Sequence, residues 1–412
     1  MRCALAAVPR RRPLADVRIL DLTQATAGPF GVMLLADLGA EVIKIERPGG
    51  SDISHEFGPF IENERGRVAA GYLRYARNRK SLTLDLKHPR GKEIFLRLVG
   101  VADAVVSNFG VRTMERLGLG WDALRAANPA IIYATVSGFG HPDVLPSRYA
   151  DWPAYDNVAQ AMGGMMDLTG DPDGPPTECG IIVCDMIPSL QMAIGLLAAL
   201  RERDRTGQGQ RVDVAMYDAA VSLLAPQIVP YFFTGKMPTR GPKSWVCPYG
   251  VFRVRDGWVT VAASSNAQWE RLARLLGRDD WLSDPRLKTG ESRRQHYAAV
   301  IAPVLEPWLA ARTRDEVVSL LLGQNIPVGP VHTIADIVND PGLVERNMLV
   351  EIAHPVAGRY RAPGNPIKLS NHIPEPPFLP PPAIGEHTEE LLASLLGMAP
   401  AEVAALRSEG IV

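Results

Sequence analysis

Asp185 is the lone charge in the apolar run Gly180-Ile-Ile-Val-Cys-Asp-Met-Ile187, which follows a Gly/Pro-rich turn at 170–176. An unpaired carboxylate in such surroundings costs several kcal/mol. It is either a helix cap or a group whose charge is used. The cap reading places it ahead of a helix over 187–203, whose apolar face holds Leu190, Met192, Ala193, Leu196, Leu197 and Leu200 and which ends at Thr206-Gly207. The chemical reading makes it a nucleophile, since a carboxylate held at a helix start is both ionised and aimed. The two readings are compatible. Three cations, Arg47, Lys87 and Arg116, each fall just past a predicted strand or on the helix after it, where a phosphate-bearing ligand of a parallel α/β sheet would lie. Arg offers phosphate a planar fork of donors and Lys a point charge. Each is equally readable as a solvated surface charge. Backbone N–H groups between Gln24 and Gly28, Thr26 among them, are available to hold a developing oxyanion.

The elements that must position these groups alternate. Short apolar strands are predicted at 17–22, 42–46, 81–84, 104–107, 131–136 and 211–215, with helices at 30–38, 90–99 and 121–127. This is the pattern of a doubly wound, Rossmann-like parallel sheet, which collects ligands at the carboxyl ends of its strands. The loop after the first strand, Thr23 to Pro29, has one glycine where a dinucleotide loop wants three, which disfavours a nicotinamide cofactor. Further helices are predicted at 155–164, ending in Gly163-Gly164, and at 218–234. From 249 the pattern changes to a hairpin (251–254 and 258–262) and helices at 267–276, 293–311 and 314–322. The expected organisation is therefore a tail at 1–13, a large α/β domain at 14–234, a linker at 235–248, a small α+β domain at 249–340, an extended Pro-rich returning linker at 341–384 and C-terminal helices at 385–412 that pack on the large domain. Gly163-Gly164 and the first linker are the candidate flexible segments.

Bulk composition excludes more than it selects. Across 412 residues, 44 Lys+Arg against 45 Asp+Glu leave a net charge of −1, giving no reason to expect nucleic acid or an anionic membrane as partner. No run of about 18 apolar residues is evident, so no membrane span is expected. The four cysteines form no CxxC pair, which points to reduced thiols in a cytoplasmic protein and to no metal site.

Several motifs occur together in one order: Leu20-Asp-Leu with Ala27-Gly-Pro; Leu38-Gly-Ala-Glu-Val-Ile-Lys-Ile-Glu-Arg-Pro-Gly-Gly-Ser-Asp52; Asn78 to Lys87; Ser107-Asn-Phe-Gly110; Tyr155 to Gly164; Thr206 to Arg211; Ile326-Pro-Val-Gly-Pro330; and Gly385-Glu-His-Thr-Glu389. Together they resemble the class III coenzyme A transferases, a family that includes formyl-CoA and carnitine-CoA transferases and, as a sister branch, the α-methylacyl-CoA racemases. The resemblance implies that Asp185 is the nucleophile, that coenzyme A is a co-substrate with no tightly bound cofactor, and that the acyl partners are small carboxylic acids. It further implies CoA contacts at Arg47, Leu84, Lys87, Asn108, Phe109 and Arg116, with Tyr155 near the thioester, and an interlocked-ring homodimer. Phe109 on sequence grounds reads more readily as a core residue than as a platform for adenine.

The implied reaction passes CoA from an acyl-CoA to a free acid through an aspartyl anhydride and an aspartyl-CoA thioester, in a site closed to water. Two positions depart from the family. Pro153 stands where some members carry a lysine near CoA, and the glycine-rich loop of oxalate-type enzymes is replaced by Lys243-Ser-Trp-Val-Cys-Pro-Tyr-Gly250. Small dicarboxylic or hydroxy acids, such as succinate-type donors, are the expected partners, because polar acids need cationic and hydroxyl groups such as Arg240, Lys243 and Ser244. A racemase needs two bases, and where racemases have Gly-His-Asp this chain has Ala154-Tyr-Asp156; an ordinary Tyr, with a pKa of about 10, is a poor base at neutral pH. The remaining alternatives are a hydrolase and a non-catalytic acyl-CoA binder, and the latter would not need Asp185.

Overall fold

The computed structural model describes residues 12–240, 246–372, 374 and 377–412, which form two compact units. Of the described residues, the first unit holds 12–170, 174–238 and those of 341–412; the second holds 171–173, 239–240 and 246–340. Residues 1–11 of the expected 1–13 tail, and Lys243-Ser244, lie outside the described residues. Arg12 belongs to the folded part, its carbonyl accepting from the Ala15 N–H at 3.1 Å.

In the first unit, β1 (Arg18–Asp21), β2 (Glu41–Glu46), β5 (Arg79–Thr83), β6 (Ala104–Ser107), β7 (Ile132–Ser137) and β8 (Arg211–Ala215) form one sheet, interrupted in sequence by a small hairpin of β3 (Phe60–Asn63) and β4 (Gly66–Ala69). All its pairs are parallel, in the order β5-β2-β1-β6-β7-β8. Strand order reverses between β1 and β6. Such a reversal splays the following loops apart and opens a crevice at the strands' carboxyl ends. Both faces of the sheet are covered, so neighbouring residues of β1 serve different cores. Ile19 packs with Val32, Leu35, Met192 and Leu196, and Leu20 packs with Phe95, Leu98 and Leu392. Burial on both faces is why these strands read as short continuous apolar runs.

The Asp185 helix runs from Val183 to Thr206, four residues earlier than the sequence pattern predicts. It is long and apolar enough to cross a membrane, which the search for apolar runs did not anticipate. Its face of Met192, Ala193, Leu196, Ala199 and Leu200 is buried against the sheet instead. Gly31 of the Pro29–Asp37 helix lets that helix approach, because a Cβ there would lie 2.2 Å from the Ser189 carbonyl oxygen. The predicted helix at 218–234 is two helices, Met216–Ser222 and Ala225–Thr234, the second started by Pro226.

The returning segment is not extended throughout. It contains a helix at Pro341–Glu345 and a hairpin pairing Leu349–His354 with Gly358–Pro363. Farther on, Leu379 exchanges two hydrogen bonds with Asn78, and the helices Thr388–Leu396 and Pro400–Ser408 bury Leu391, Leu392, Val403 and Leu406 in the core beside β5.

In the second unit, an antiparallel sheet of Tyr249–Val254, Gly257–Ala262 and Val328–Pro330 packs on helices around Trp269 and Trp281, whose rings stack at 5.3 Å. The predicted helix at 293–311 is broken into Gly290–Gln295, a wide turn at Tyr297–Ile301 and Ala302–Ala310. Pro303, which has no N–H to continue a helical ladder, sits in the first turn of the last piece.

Candidate active site

The loop after β1 reaches the crevice and is held from several sides. Asp21 accepts from the Thr23 N–H and hydroxyl at 2.9 and 2.6 Å and pairs with buried Arg79 at 2.8 Å. Lys44 Nζ donates to the Thr23 carbonyl and lies 3.0 Å from Asp52. Asp52 accepts from the Ala25 N–H at 2.9 Å, and Asn108 grips Gln24 by both its N–H and its carbonyl, at 2.8 Å each. Burial alone would raise the Asp52 carboxyl; the Lys44 ammonium and the N–H groups of Ala25 and Ser54 hold it down to about 2. Gly28 closes the loop at φ 154°, where a Cβ would meet Thr23 Cγ2 at 2.7 Å. The expected oxyanion donors at Gln24 and Ala25 are therefore engaged in building the loop. Thr26 still lines the crevice.

A cleft of about 940 Å³ opens beside this loop. Asp185, Tyr155, Asn108, Phe109, Gln24, Ala25 and Thr26, far apart in sequence, all line it. Arg47, Leu84, Lys87 and Arg116 are not among its lining residues. Arg47 is exposed, its Nε bonded to the Gly50 carbonyl at 3.0 Å; Arg116 is exposed and bonded to Thr113 Oγ1 at 2.9 Å; Lys87 is exposed past β5. The Leu84 side chain is buried in the core, so contact with a ligand could come only through its backbone. Tyr155 precedes the Asp156–Met162 helix and is 75% exposed. Gly163 lets its helix pack closely, because a Cβ there would lie 2.4 Å from Ala220 Cβ. Arg240 belongs to the second unit.

Asp185 sits in the first turn of its helix and is not the cap. That role falls to Asp156, a buried residue whose Oδ1 accepts from the Cys184 N–H at 2.7 Å and whose Oδ2 accepts from Gln160 Nε2 at 2.7 Å. Gln160 in turn accepts from the Cys179 N–H at 2.8 Å. The Asp185 carboxylate, by contrast, accepts no hydrogen bond from any described residue. Burial first, and then the Asp156 charge, push it up to about 6, with Arg74 opposing. The same burial pushes the neighbouring Cys184 thiol up to about 12, leaving it inert at neutral pH. The sequence reading did not single out Asp156 or Arg74. Asp156 had a faint signal near the start of an expected helix; Arg74 had none, lying three residues from the buried Arg77 in similar sequence context.

The profile of CoA-transferase family III matches residues 14–388. The chain belongs to this family. It is 40% identical over 388 residues to a succinyl-CoA:mesaconate CoA-transferase of Haloarcula hispanica, covering 92% of this chain and 95% of that protein. It is 35% identical to a succinyl-CoA--D-citramalate CoA-transferase of Chloroflexus aurantiacus, covering 97% and 98%. Its fold matches the crystal structure of a CaiB/BaiF family protein from Brucella suis with a TM-score of 0.82 at 34% identity, covering 93% and 99%. This class III CoA-transferase thus has its sheet reversal, its clamped loop and a desolvated carboxylate in one crevice.

Proposed function

We propose that this transferase carries CoA from a small dicarboxylyl-CoA, of the succinyl type named in its relatives, to a second carboxylic acid through covalent intermediates on Asp185. The observation that carries the reading is the Asp185 carboxylate itself: it is desolvated, faces the cleft and is engaged by no donor among the described residues. A structural carboxylate would be paired, as Asp156 is. With its pKa near 6 it is ionised at neutral pH yet more basic than an ordinary aspartate.

Asp185 Oδ attacks the thioester carbonyl; the C–S bond breaks, leaving a mixed anhydride and the CoA thiolate. The thiolate attacks Asp185 Cγ and expels the donor acid as its carboxylate, so CoA is now held as an aspartyl thioester. An acceptor carboxylate attacks Cγ, forming a new anhydride and freeing the thiolate, which then attacks the acceptor's acyl carbon and restores Asp185. Each step exchanges one acyl bond for another of similar reactivity, so no nucleotide is consumed. Water would intercept both intermediates, and exclusion of solvent is part of the chemistry. The CoA nucleotide is assigned to Arg47, Lys87 and Arg116, and the assembly to a homodimer, on the family resemblance.

Succinyl-CoA with a panel of labelled free acids, products read by mass, tests the activity. Hydroxylamine added after succinyl-CoA should leave a hydroxamate on Asp185, and Asp185→Ala should abolish transfer while retaining CoA binding within about 1 kcal/mol, since a group that acts only in the reaction contributes little to ground-state affinity. Label on another residue, or turnover by the Ala variant, rejects the assignment. Deuterium uptake at the substrate α-carbon from heavy water without CoA exchange would make Asp185 a base and the protein a racemase.

A further inference from the structure

We propose that Arg74 is the cleft's anchor for a second carboxylate on the acyl group, so that the enzyme selects dicarboxylic acids and their CoA thioesters over monocarboxylic ones. The inference rests on Asp185 as the reacting group. Among the described residues that line the cleft, Arg74 is the sole cation, whereas Asp156, Glu178 and Asp185 are acidic. A substrate bearing an extra negative charge would find its one opposite charge in this lining at Arg74, the other charged side chains there being acidic.

Arg74 is also presented for binding. It follows the Ala70–Leu73 turn of helix, where Nε donates to the Gly71 carbonyl at 3.0 Å. The guanidinium carbon lies 5.4 Å from the centre of the Tyr75 ring and 5.9 Å from that of Phe57. These contacts fix the side chain without involving its two terminal nitrogens, and no acidic residue among those described pairs with it. Its neighbours Arg77 and Arg79 differ: both are buried and paired, with Asp37 and Asp21. An oriented guanidinium with free terminal N–H groups matches a carboxylate in a two-point fork.

Position decides which anion it meets. Arg74 and Asp185 line the same cleft, and the Arg74 charge opposes the effect of burial on Asp185. It therefore lies at the acyl end of the site, while the phosphates of CoA are separated from the thioester by the whole pantetheine arm. Charge compensation of Asp185 alone is the competing role, and it would affect every substrate alike.

The test compares succinate with monomethyl succinate, which has the same carbon chain and one charge fewer. Each is supplied as the ¹³C-labelled acceptor with unlabelled succinyl-CoA, and kcat/KM for the acceptor is read by mass in wild type, Arg74→Gln and Arg74→Lys. In Arg74→Gln, kcat/KM for succinate should fall about 10- to 100-fold, the range for loss of a hydrogen bond to a charged group, with the monomethyl ester changed by less than about threefold. Arg74→Lys should recover part of the succinate rate, keeping the charge and losing the fork. An equal fall for both acids, or no fall for either, overturns the proposal. Wild-type enzyme that exchanges CoA with neither acid rejects the succinyl-type transfer on which the proposal rests, and the anchor with it.

Discussion

Replacing the Asp185 carboxylate should stabilise the protein, and only at a pH where that carboxylate is ionised. Asp185 is pushed from the ordinary 3.8 up to about 6, by burial and by Asp156. The unfolded chain releases this proton near 3.8, so between about pH 4 and 6 the native state binds more protons than the unfolded state. By linkage, stability then falls as pH rises through that window and levels off above it. At about 1.4 kcal/mol for each tenfold change in acidity, the full cost of ionised Asp185 is about 3 kcal/mol. It is about 3 kcal/mol at pH 7.5, about 1.5 kcal/mol at pH 5 and negligible below pH 4. Asn has nearly the same shape and no charge at any pH. Asp185→Asn should therefore unfold later than wild type, by an amount that doubles between pH 5 and 7.5. Urea unfolding of both proteins at matched pH, followed by the fluorescence of Trp121 and Trp152 in the Asp185 unit, measures the difference. An Asn variant less stable than wild type at pH 7.5, or a gap that does not change with pH, would refute desolvation as the source of the carboxylate's basicity.

Asp156→Asn removes the second cause of that basicity and keeps an oxygen to accept from the Cys184 N–H; the acid limb of the kcat/KM profile should move to lower pH, and an unmoved limb would show that Asp156 does not act on Asp185. Asn108→Ala deletes both bonds to the Gln24 backbone, and should lower stability by about 1–3 kcal/mol and reduce kcat more than it raises KM; thermal unfolding with steady-state kinetics reads both. Arg77→Met leaves Asp37 buried without its cation and should cost about 3–5 kcal/mol in urea unfolding, with little change in KM for the protein that remains folded. Arg47→Ala should raise KM for acyl-CoA, by the about 1.5–3 kcal/mol of one hydrogen bond to a charged group, but leave a short pantetheine thioester unaffected; an equal effect on both places Arg47 at the acyl end.

Much of this fold is written in local signals. Strands buried on both faces must be short and apolar, and helices that cover them must be punctuated by Pro, Gly and cap residues, so the six strands of the sheet lie within about two residues of their predicted bounds. The places where the prediction failed also have local causes. The helix at 293–311 breaks before Pro303, and the hairpin at 349–363 was hidden in a segment judged by the prolines that follow it. Asp185 stood out because no sequence neighbour accounts for its charge, and its presence in the cleft agrees with that signal.

The fate of the other charges was decided only by the tertiary structure. Arg74, Arg77 and Arg79 share one short stretch, yet two are locked to carboxylates 40 and 58 residues away and one faces the cleft. Asp156, 28 residues from the Cys184 N–H it caps, took the role that the sequence suggested for Asp185, which has no hydrogen-bond donor among the described residues. Apolar periodicity is a property of a segment, and the segment's own residues carry it. Whether an ionisable group is paired, buried or open to a ligand depends on what the fold brings against it, and that information is spread over the whole chain.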